Sequence, residues 1–159
     1  MSVDFKGMNI LITGASSGIG RQAAITYGKH NARVIALGRS QSALEMLDDD
    51  LARYNCDVIN VPFNLMEFNL IKDMEEKLSE RIDRLDILFL NAATFRGLTP
   101  VTHIDEKEWN ETFAVNLTSN VILLKLFEPY LRKAKKSQVL VSTSDITNQK
   151  KPFWGLYSA

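Results

Sequence analysis

Three glycines in the pattern Gly-x3-Gly-x-Gly follow a short apolar run and precede an amphipathic one. Because glycine has no Cβ, the backbone can turn tightly there and lie close to a phosphate. A helix that begins at such a turn offers free N–H groups and a partial positive charge to an anion. A glycine-rich turn can also serve chain reversal alone, but its place between a strand and a helix favours a nucleotide. The predicted cofactor-binding residues of this turn are Gly14, Ser16, Ser17, Gly18, Ile19 and Gly20.

A second candidate contact lies at the end of the next apolar run, which reads Gly38-Arg39. A carboxylate at this place would bind the ribose hydroxyls of NAD(H) and repel a 2′-phosphate. A guanidinium instead stays charged, pairs with phosphate oxygens and stacks on adenine. The sequence therefore predicts NADP(H) in preference to NAD(H). The alternative is a solvated arginine in an ordinary loop.

The composition excludes several other functions. The 159 residues carry 19 basic and 19 acidic side chains, a balance that argues against a nucleic-acid binder. One cysteine, Cys56, and two histidines, His30 and His103, are too few for a typical metal site, so none is expected. No apolar run approaches the ~20 residues that span a bilayer, and the first residues do not resemble a signal peptide. We therefore expect a cytoplasmic protein that binds neither nucleic acid nor membrane.

The elements that must position these residues alternate between short apolar runs and longer amphipathic ones. Strands are predicted over 8–13, 32–37, 57–62, 87–90 and 138–143, and helices over 19–30, 41–54, 66–82 and 105–133. Near-continuous apolar strands that alternate with helices indicate a parallel sheet covered on both faces. The predicted fold class is α/β, a doubly wound Rossmann-type parallel sheet of five strands with helices on both faces. Residues 1–159 are expected to form a single dinucleotide-binding domain.

The long helix predicted over 105–133 carries a regular apolar stripe, which should face the core or a subunit interface. Its members are Trp109, Phe113, Leu117, Val121, Leu124 and Leu131. Asn116 interrupts this stripe, and an interior asparagine needs a hydrogen-bond partner, which favours a functional role.

Several motifs occur in an order that resembles the short-chain dehydrogenase/reductase family. The glycine turn begins Thr13-Gly14, as the cofactor turn of that family does, and Asp86 opens the fourth strand. Asn91-Ala92-Ala93 is similar to the family's Asn-Asn-Ala-Gly, although Leu90 and Ala93 replace its first and last residues. Asn116 matches the family's helix asparagine, and Ser144 and Tyr157 stand thirteen residues apart, as its catalytic pair does. The resemblance covers the whole chain but only about the first two-thirds of a typical member.

The resemblance implies three catalytic residues. Tyr157 would protonate the carbonyl oxygen in reduction and act as the base in oxidation, while Ser144 would hold the same oxygen. Asn116 would position a water in the proton relay. The implied activity is that of an NADP(H)-dependent oxidoreductase that interconverts a carbonyl and a secondary alcohol by hydride transfer. Ser142 is a competing serine, but its distance from Tyr157 does not match the family's interval.

The resemblance also implies further cofactor contacts, at Asn91 and Ala92 and at Asn64 and Leu65 after the third strand. Asn64 falls where the family commonly has an aspartate beside the adenine. An amide can still accept from the adenine amine and donate to a ring nitrogen, and a simple loop cap is an equal alternative. Ser17 lies where many NADP-preferring members have a basic residue, so one supporting charge is absent.

One departure from the family concerns its active-site lysine. The pattern Tyr-x3-Lys would place it at position 161, and the chain ends at Ala159. A free phenol has a pKa of about 10, and a nearby cation lowers that pKa towards neutral pH, where acid–base catalysis is efficient. We therefore expect little turnover from residues 1–159 alone and activity from a complete parent that adds the family's C-terminal third. The alternatives are a non-catalytic dinucleotide-binding module, as a sensor or scaffold, and a piece of a longer protein.

The expected partners follow from the same resemblance. A small-molecule carbonyl or alcohol would be the substrate, with polyol, keto-acyl, steroid and quinone compounds all open. The complete protein is expected to form a homo-oligomer.

Overall fold

The computed structural model, which describes residues 4–159, contains one parallel sheet of five strands in the order β3-β2-β1-β4-β5. The strands are β1 (Asn9–Thr13), β2 (Arg33–Gly38), β3 (Val58–Pro62), β4 (Ile87–Leu90) and β5 (Gln138–Val141). β1 is paired on both sides, and its Leu11 lies opposite Ile35 of β2 and Leu88 of β4. The predicted doubly wound α/β fold is confirmed.

Helices connect the strands and cover both faces of the sheet. They are α1 (Gly18–Lys29), α2 (Gln41–Ala52), α3 (Ile71–Ser79), α4 (Glu106–Phe113), α5 (Ser119–Lys133) and α6 (Gly155–Ser158). The helix predicted over 66–82 is shorter, because a 3-10 turn at Phe68–Leu70 precedes α3. Further 3-10 turns occur at Val101–His103 and Asp145–Asn148.

Two hydrophobic clusters lie on opposite faces of the sheet, because successive side chains of a strand point to opposite sides. Leu11 of β1 packs with α3 and α5 on one face, where Phe127 is completely buried. Ile10 and Ile12 pack on the other face with residues of α1 and α2 such as Leu47. The central strands are thus held rigidly from both sides, and their carboxyl ends meet along one edge of the sheet.

The long helix differs from its predicted stripe. A π-helical turn, Ala114–Thr118, joins α4 to α5 and adds an extra residue to the helical period. The buried residues therefore follow a shifted face: Thr112 of α4, then Ser119, Leu123, Phe127 and Leu131 of α5. Four positions of the predicted stripe are exposed and do not face the core: Trp109, Leu117, Val121 and Leu124. For these four the subunit interface is the alternative that stays a prediction. Leu131 is buried as predicted.

β5 forms one edge of the sheet and pairs only with β4 among the described residues. Its Val139, Leu140 and Val141 are 40%, 36% and 54% exposed, so this edge of the sheet presents apolar side chains. Across residues 4–159 the structure contains no helix with the length and apolar character needed to span a bilayer.

Candidate active site

The glycine turn joins β1 to α1 at the carboxyl edge of the sheet. Gly14 and Gly18 adopt left-handed backbone angles, with φ of 67° and 54°, which glycine adopts without strain. The N–H of Ala15 donates to the carbonyl oxygen of Leu37 over 3.0 Å and ties the turn to β2. A Cβ on Gly18 would meet no atom within 4 Å, so the backbone at the start of α1 faces open space.

Gly20 serves packing and does not line the open space above the turn. A Cβ at this position would lie 2.4 Å from the Gly14 carbonyl oxygen and 2.6 Å from Nδ2 of Asn91. The absence of a side chain therefore lets α1 approach β1 and β4 closely. This role differs from the predicted contact of Gly20 with a cofactor.

A crevice of about 430 Å³ opens above the turn. Ten of the eleven predicted cofactor residues line it: Gly14, Ser16, Ser17, Gly18, Ile19, Arg39, Asn64, Leu65, Asn91 and Ala92. Sequence reasoning missed eight further lining residues: Leu37, Gly38, Phe63, Met66, Ala93, Thr94, Arg96 and Val115. Six of these lie within two residues of a predicted contact, so the ends of β2, β3 and β4 were the signal that could have found them. The other two are Arg96, four residues after Ala92, and Val115, which precedes Asn116, a residue predicted to be catalytic and not to contact the cofactor.

Asn91 locks the ends of the central strands together. Its Nδ2 donates to the Thr13 carbonyl oxygen over 3.1 Å, and its Oδ1 accepts from the Ser142 hydroxyl over 3.1 Å. The Thr13 hydroxyl accepts from the N–H groups of Asn91 and Ala92, each over 2.9 Å. The side-chain amide and the backbone N–H of Asn91 are thus occupied by the protein, which leaves its backbone carbonyl oxygen without a partner among the described residues.

The adenosine end of the crevice, as predicted from the sequence, lies at the ends of β2 and β3. Arg39 is exposed, and within residues 4–159 no carboxylate lies within ion-pair distance of its guanidinium. The Oδ1 of Asn64 accepts from the N–H of Met66 over 3.2 Å, which is the loop-cap arrangement, while its Nδ2 forms no hydrogen bond in the described chain. Leu65 is buried and supports the floor of this end.

Asn116 lies in the π-helical turn and holds the loop after β4. Its Oδ1 accepts from the N–H of Thr94 over 2.7 Å, and its Nδ2 donates to the carbonyl oxygen of the same residue over 3.0 Å. The backbone carbonyl of Asn116 accepts from Nδ2 of Asn120 over 2.8 Å. The asparagine that interrupts the apolar pattern therefore has the partners that an interior amide requires.

Ser144 and Tyr157 lie beyond β5, next to the crevice but outside its lining. Ser144 caps the 3-10 turn Asp145–Asn148, with its hydroxyl accepting from the N–H of Ile146 over 3.4 Å, and this turn contacts α6, which carries Tyr157. In the part of the chain described, no hydrogen bond joins the two hydroxyls. The ring of Tyr157 lies edge-on to Phe95 with centroids 5.3 Å apart.

Arg96, which lines the crevice from the loop after β4, forms an ion pair with Glu111 of α4. Phe95, its neighbour in the chain, stacks on Trp154 with ring centroids 5.4 Å apart. An apolar aromatic group and a cation thus flank the region between the glycine turn and Tyr157. Neither Phe95 nor Arg96 belongs to a motif recognised in the sequence.

Comparisons with known proteins agree on one family. A sequence model described as short chain dehydrogenase matches residues 8–159. An uncharacterized oxidoreductase of Escherichia coli K12 is 30% identical over 156 residues, which cover 94% of this chain and 61% of that protein.

Two solved structures have the same fold as this chain. A protein of Escherichia coli CFT073 in complex with NADPH superposes with a TM-score of 0.91 at 26% identity, over 97% of this chain and 65% of the other. Carveol dehydrogenase of Mycobacterium avium in complex with NAD gives a TM-score of 0.90 over 99% and 61% of the two chains. Its identity is 19%, so this likeness concerns the fold alone. The chain spans 61% to 65% of the length of these three proteins.

Proposed function

Since the chain belongs to the short-chain dehydrogenase/reductase family, we propose that it forms the dinucleotide-binding domain of an NADP(H)-dependent oxidoreductase. The reaction proposed is the interconversion of a carbonyl and a secondary alcohol. The observation that carries this proposal is the crevice above the glycine turn, which gathers ten predicted cofactor residues from the ends of four strands. Oxidoreductase chemistry is a property of the family, and the substrate and whole-protein activity belong to the proposal.

The residues present fit a dinucleotide. Backbone N–H groups at Ser17, Gly18 and Ile19 lie at the first turn of α1, where a helix has unpaired donors and favours an anion. The open space around Gly18 leaves room for a diphosphate against the backbone. The crevice volume of about 430 Å³ lies within the range of ligand sites. The N–H groups of the turn would hold the diphosphate. Asn91 and Ala92 would face the other half through their backbone carbonyl oxygens, because their N–H groups bond Thr13.

The preference for NADP(H) depends on Arg39. Its guanidinium is exposed at the end of β2 and carries no ion pair in residues 4–159, so it is available for a 2′-phosphate. The neighbouring Gly38 lies close to Ser16: a Cβ added to Gly38 would stand 3.1 Å from the serine side chain. The two solved structures named above hold NADPH and NAD respectively, so the fold accommodates either and the preference rests on this arginine.

Asn64 and Leu65 are proposed to lie beside the adenine. The loop-cap bond to Met66 uses the Oδ1 of Asn64, which leaves its Nδ2 to donate to a ring nitrogen. Leu65 would then contribute an apolar surface below the base.

The proposed chemistry divides between the cofactor and the protein. Bound reduced nicotinamide supplies a hydride, and with it the electron pair, to the carbonyl carbon. Tyr157 is proposed to donate its hydroxyl proton to the carbonyl oxygen, and Ser144 to hold that oxygen by a hydrogen bond. Asn116 is proposed to position a water through the capacity that its bonds to Thr94 and Asn120 leave unused, since an amide NH2 has a second N–H and a carbonyl oxygen a second lone pair.

The proposal is tested with the protein expressed from its full reading frame. NADPH consumption is measured over a panel of polyol-derived, keto-acyl, steroid and quinone carbonyls for the wild type, Tyr157→Phe and Tyr54→Phe. Tyr54 follows α2, is exposed and lies outside the lining of the crevice, so it is the matched control. We expect turnover to fall at least about a hundredfold in Tyr157→Phe and to stay unchanged in Tyr54→Phe.

A second candidate, a module that binds the dinucleotide without catalysis, is favoured by one observation. The Ser144 hydroxyl bonds the backbone of Ile146 and no hydrogen bond joins it to Tyr157 in the described residues. The same experiment separates the two candidates. Tight NADPH binding with no consumption of any carbonyl in the panel would support the module and contradict the oxidoreductase.

The expected homo-oligomer stays a proposal as well. Trp109 of α4 and Leu117, Val121 and Leu124 around the start of α5 form an exposed apolar face. This face could bury against a second copy of the complete protein. Analytical ultracentrifugation of that protein tests it, with a charged substitution at Val121 expected to weaken the association.

A further inference from the structure

Arg96 lines the crevice from the loop after β4, on the opposite side of the glycine turn from Arg39. The sheet order puts the ends of β2 and β3, with Arg39, on one side of the glycine turn and the end of β4 on the other. Arg96 follows β4 by six residues and lines the crevice on that second side. β5 is the next strand, and Ser144 and Tyr157 follow it. Arg96 therefore lies towards the half where a substrate would meet Tyr157.

The loop after β4 places alternate side chains on two sides. Thr94 and Arg96 line the crevice, while Phe95 between them packs on Trp154 and Tyr157. A backbone bond from the N–H of Thr99 to the carbonyl oxygen of Phe153, over 3.1 Å, ties this loop to the segment before α6. The loop is thus fixed against the tyrosine helix, and Arg96 is held between that helix and the crevice.

The guanidinium of Arg96 keeps unused donors. It has five N–H groups, and Nη2 is the atom that bonds Glu111. Across the described residues its other nitrogens form no hydrogen bond. The Arg96 side chain is 38% exposed and that of Glu111 is 17% exposed, so the cation is the member of the pair that solvent, or a ligand, can reach.

We propose that Arg96 binds an anionic group of the substrate, so that the carbonyl compound carries a carboxylate or a phosphate. The planar guanidinium matches either group with two parallel hydrogen bonds. Glu111 competes with the substrate anion for the same cation and orients it when no anion is present. This inference rests on the proposed function, since it names the class of substrate that the same site takes.

The first test observes the arginine without turnover. The NMR signal of the Arg96 side-chain Nε–Hε group, assigned by its absence in Arg96→Lys, is followed in the full-reading-frame protein with and without NADP⁺. Levulinate and dihydroxyacetone phosphate are titrated against their uncharged counterparts, methyl levulinate and dihydroxyacetone. We expect the anions to shift the signal and the uncharged partners to leave it unchanged. In Glu111→Gln the half-maximal shift should need several-fold less anion, because the competing carboxylate is gone.

The second test measures kcat/KM for the same pairs. Arg96→Gln should lower the ratio of kcat/KM for the anionic member to kcat/KM for its uncharged counterpart about tenfold or more. Arg96→Lys should restore part of the loss, and Glu111→Gln should raise kcat/KM for the anion. Arg132→Gln is the control, since Arg132 is a 76% exposed arginine of α5 outside the crevice. If the ion pair were merely structural, Arg96→Gln and Glu111→Gln would each lower kcat/KM equally for the anionic and the uncharged substrate.

Three results would overturn the inference. The first is an Arg96 Nε–Hε signal that neither anion shifts, and the second is an equal shift by the uncharged partners. The third is a signal that NADP⁺ alone shifts and that no anion then shifts further. The last result would assign Arg96 to the cofactor. Failure of the proposed function is distinguishable, because it would leave NADPH unconsumed by every carbonyl while the Arg96 signal still responds to the anions.

Discussion

Asn116 bonds Thr94 through both ends of its amide, accepting from the N–H over 2.7 Å and donating to the carbonyl oxygen over 3.0 Å. This pair of bonds joins the π-helical turn to the loop that carries Phe95 and Arg96. The asparagine thus fixes the backbone of the loop that carries the proposed substrate-binding residue, Arg96.

Removing that amide should cost stability. In Asn116→Ala both polar groups of the Thr94 backbone lose their partners in a part-buried place, so we expect the free energy of unfolding to fall by about 2 kcal/mol. Urea unfolding followed by circular dichroism measures it. Asn110→Ala, an exposed asparagine of α4, is the control and should change it by less than about 0.5 kcal/mol. Equal effects of the two substitutions would contradict the tether.

Gly20 should tolerate no side chain. In Gly20→Ala the new Cβ would meet the Gly14 carbonyl oxygen at 2.4 Å, and the backbone there cannot move aside without shifting α1. We expect a loss of about 1–3 kcal/mol of stability, together with weaker NADPH binding because the turn is displaced. Gly7→Asn is the control, since Gly7 has φ of 74° in open space and asparagine tolerates such angles. An unchanged melting temperature in Gly20→Ala would be inconsistent with the close helix–strand contact.

Tyr130 should make the fold sensitive to alkali. Burial, and then the hydrogen bond to Glu75, raise the pKa of its phenol from 10.0 to about 12. The folded state binds this proton more tightly, so the stabilisation is complete below pH 10 and is lost as pH rises towards 12. We expect the stability advantage of the wild type over Tyr130→Phe to be constant up to pH 9.5 and to decline above about pH 10. Urea unfolding at several pH values measures this difference, and a difference that stays constant to about pH 11.5 would argue against the raised pKa.

Arg39 should decide between the two nicotinamide dinucleotides. In Arg39→Asp we expect the Kd for NADPH to rise at least about tenfold, because a charge-assisted contact is replaced by repulsion, while the Kd for NADH changes little or falls. Fluorescence titration of both dinucleotides checks it. Arg132→Asp makes the same charge change on an exposed helix and should alter neither Kd. An unaltered preference in Arg39→Asp would refute the assignment of the cofactor.

Sequence alone predicted the sheet and much of the crevice, because apolar runs and glycines report directly on strands and turns. The strand from Ile87 to Leu90 was predicted at its observed bounds. The glycine turn placed Gly14 and Gly18 correctly for the same reason, since their backbone angles require glycine.

Tertiary structure determined the rest. The π-helical turn shifted the buried face of α5 from Val121 to Leu123, and no residue pattern marked that extra residue in advance. The amide of Asn91 bonds both Thr13 and Ser142, contacts that depend on three strands meeting. Arg96 lines the crevice because its neighbour Phe95 packs against Trp154 and Tyr157 and so sets the path of the loop. Such long-range packing cannot be predicted from hydrophobic periodicity or from residue propensities.

The central claim is that the turn after β1 holds a diphosphate while Arg39 holds the adenosine 2′-phosphate. Diffraction from crystals grown with NADPH tests it most directly. We predict density for the diphosphate against the backbone N–H groups of Ser17 to Ile19, with the 2′-phosphate within hydrogen-bond distance of the Arg39 guanidinium. A crevice without density at saturating NADPH, or an adenosine whose 2′-phosphate points away from Arg39, would contradict the account.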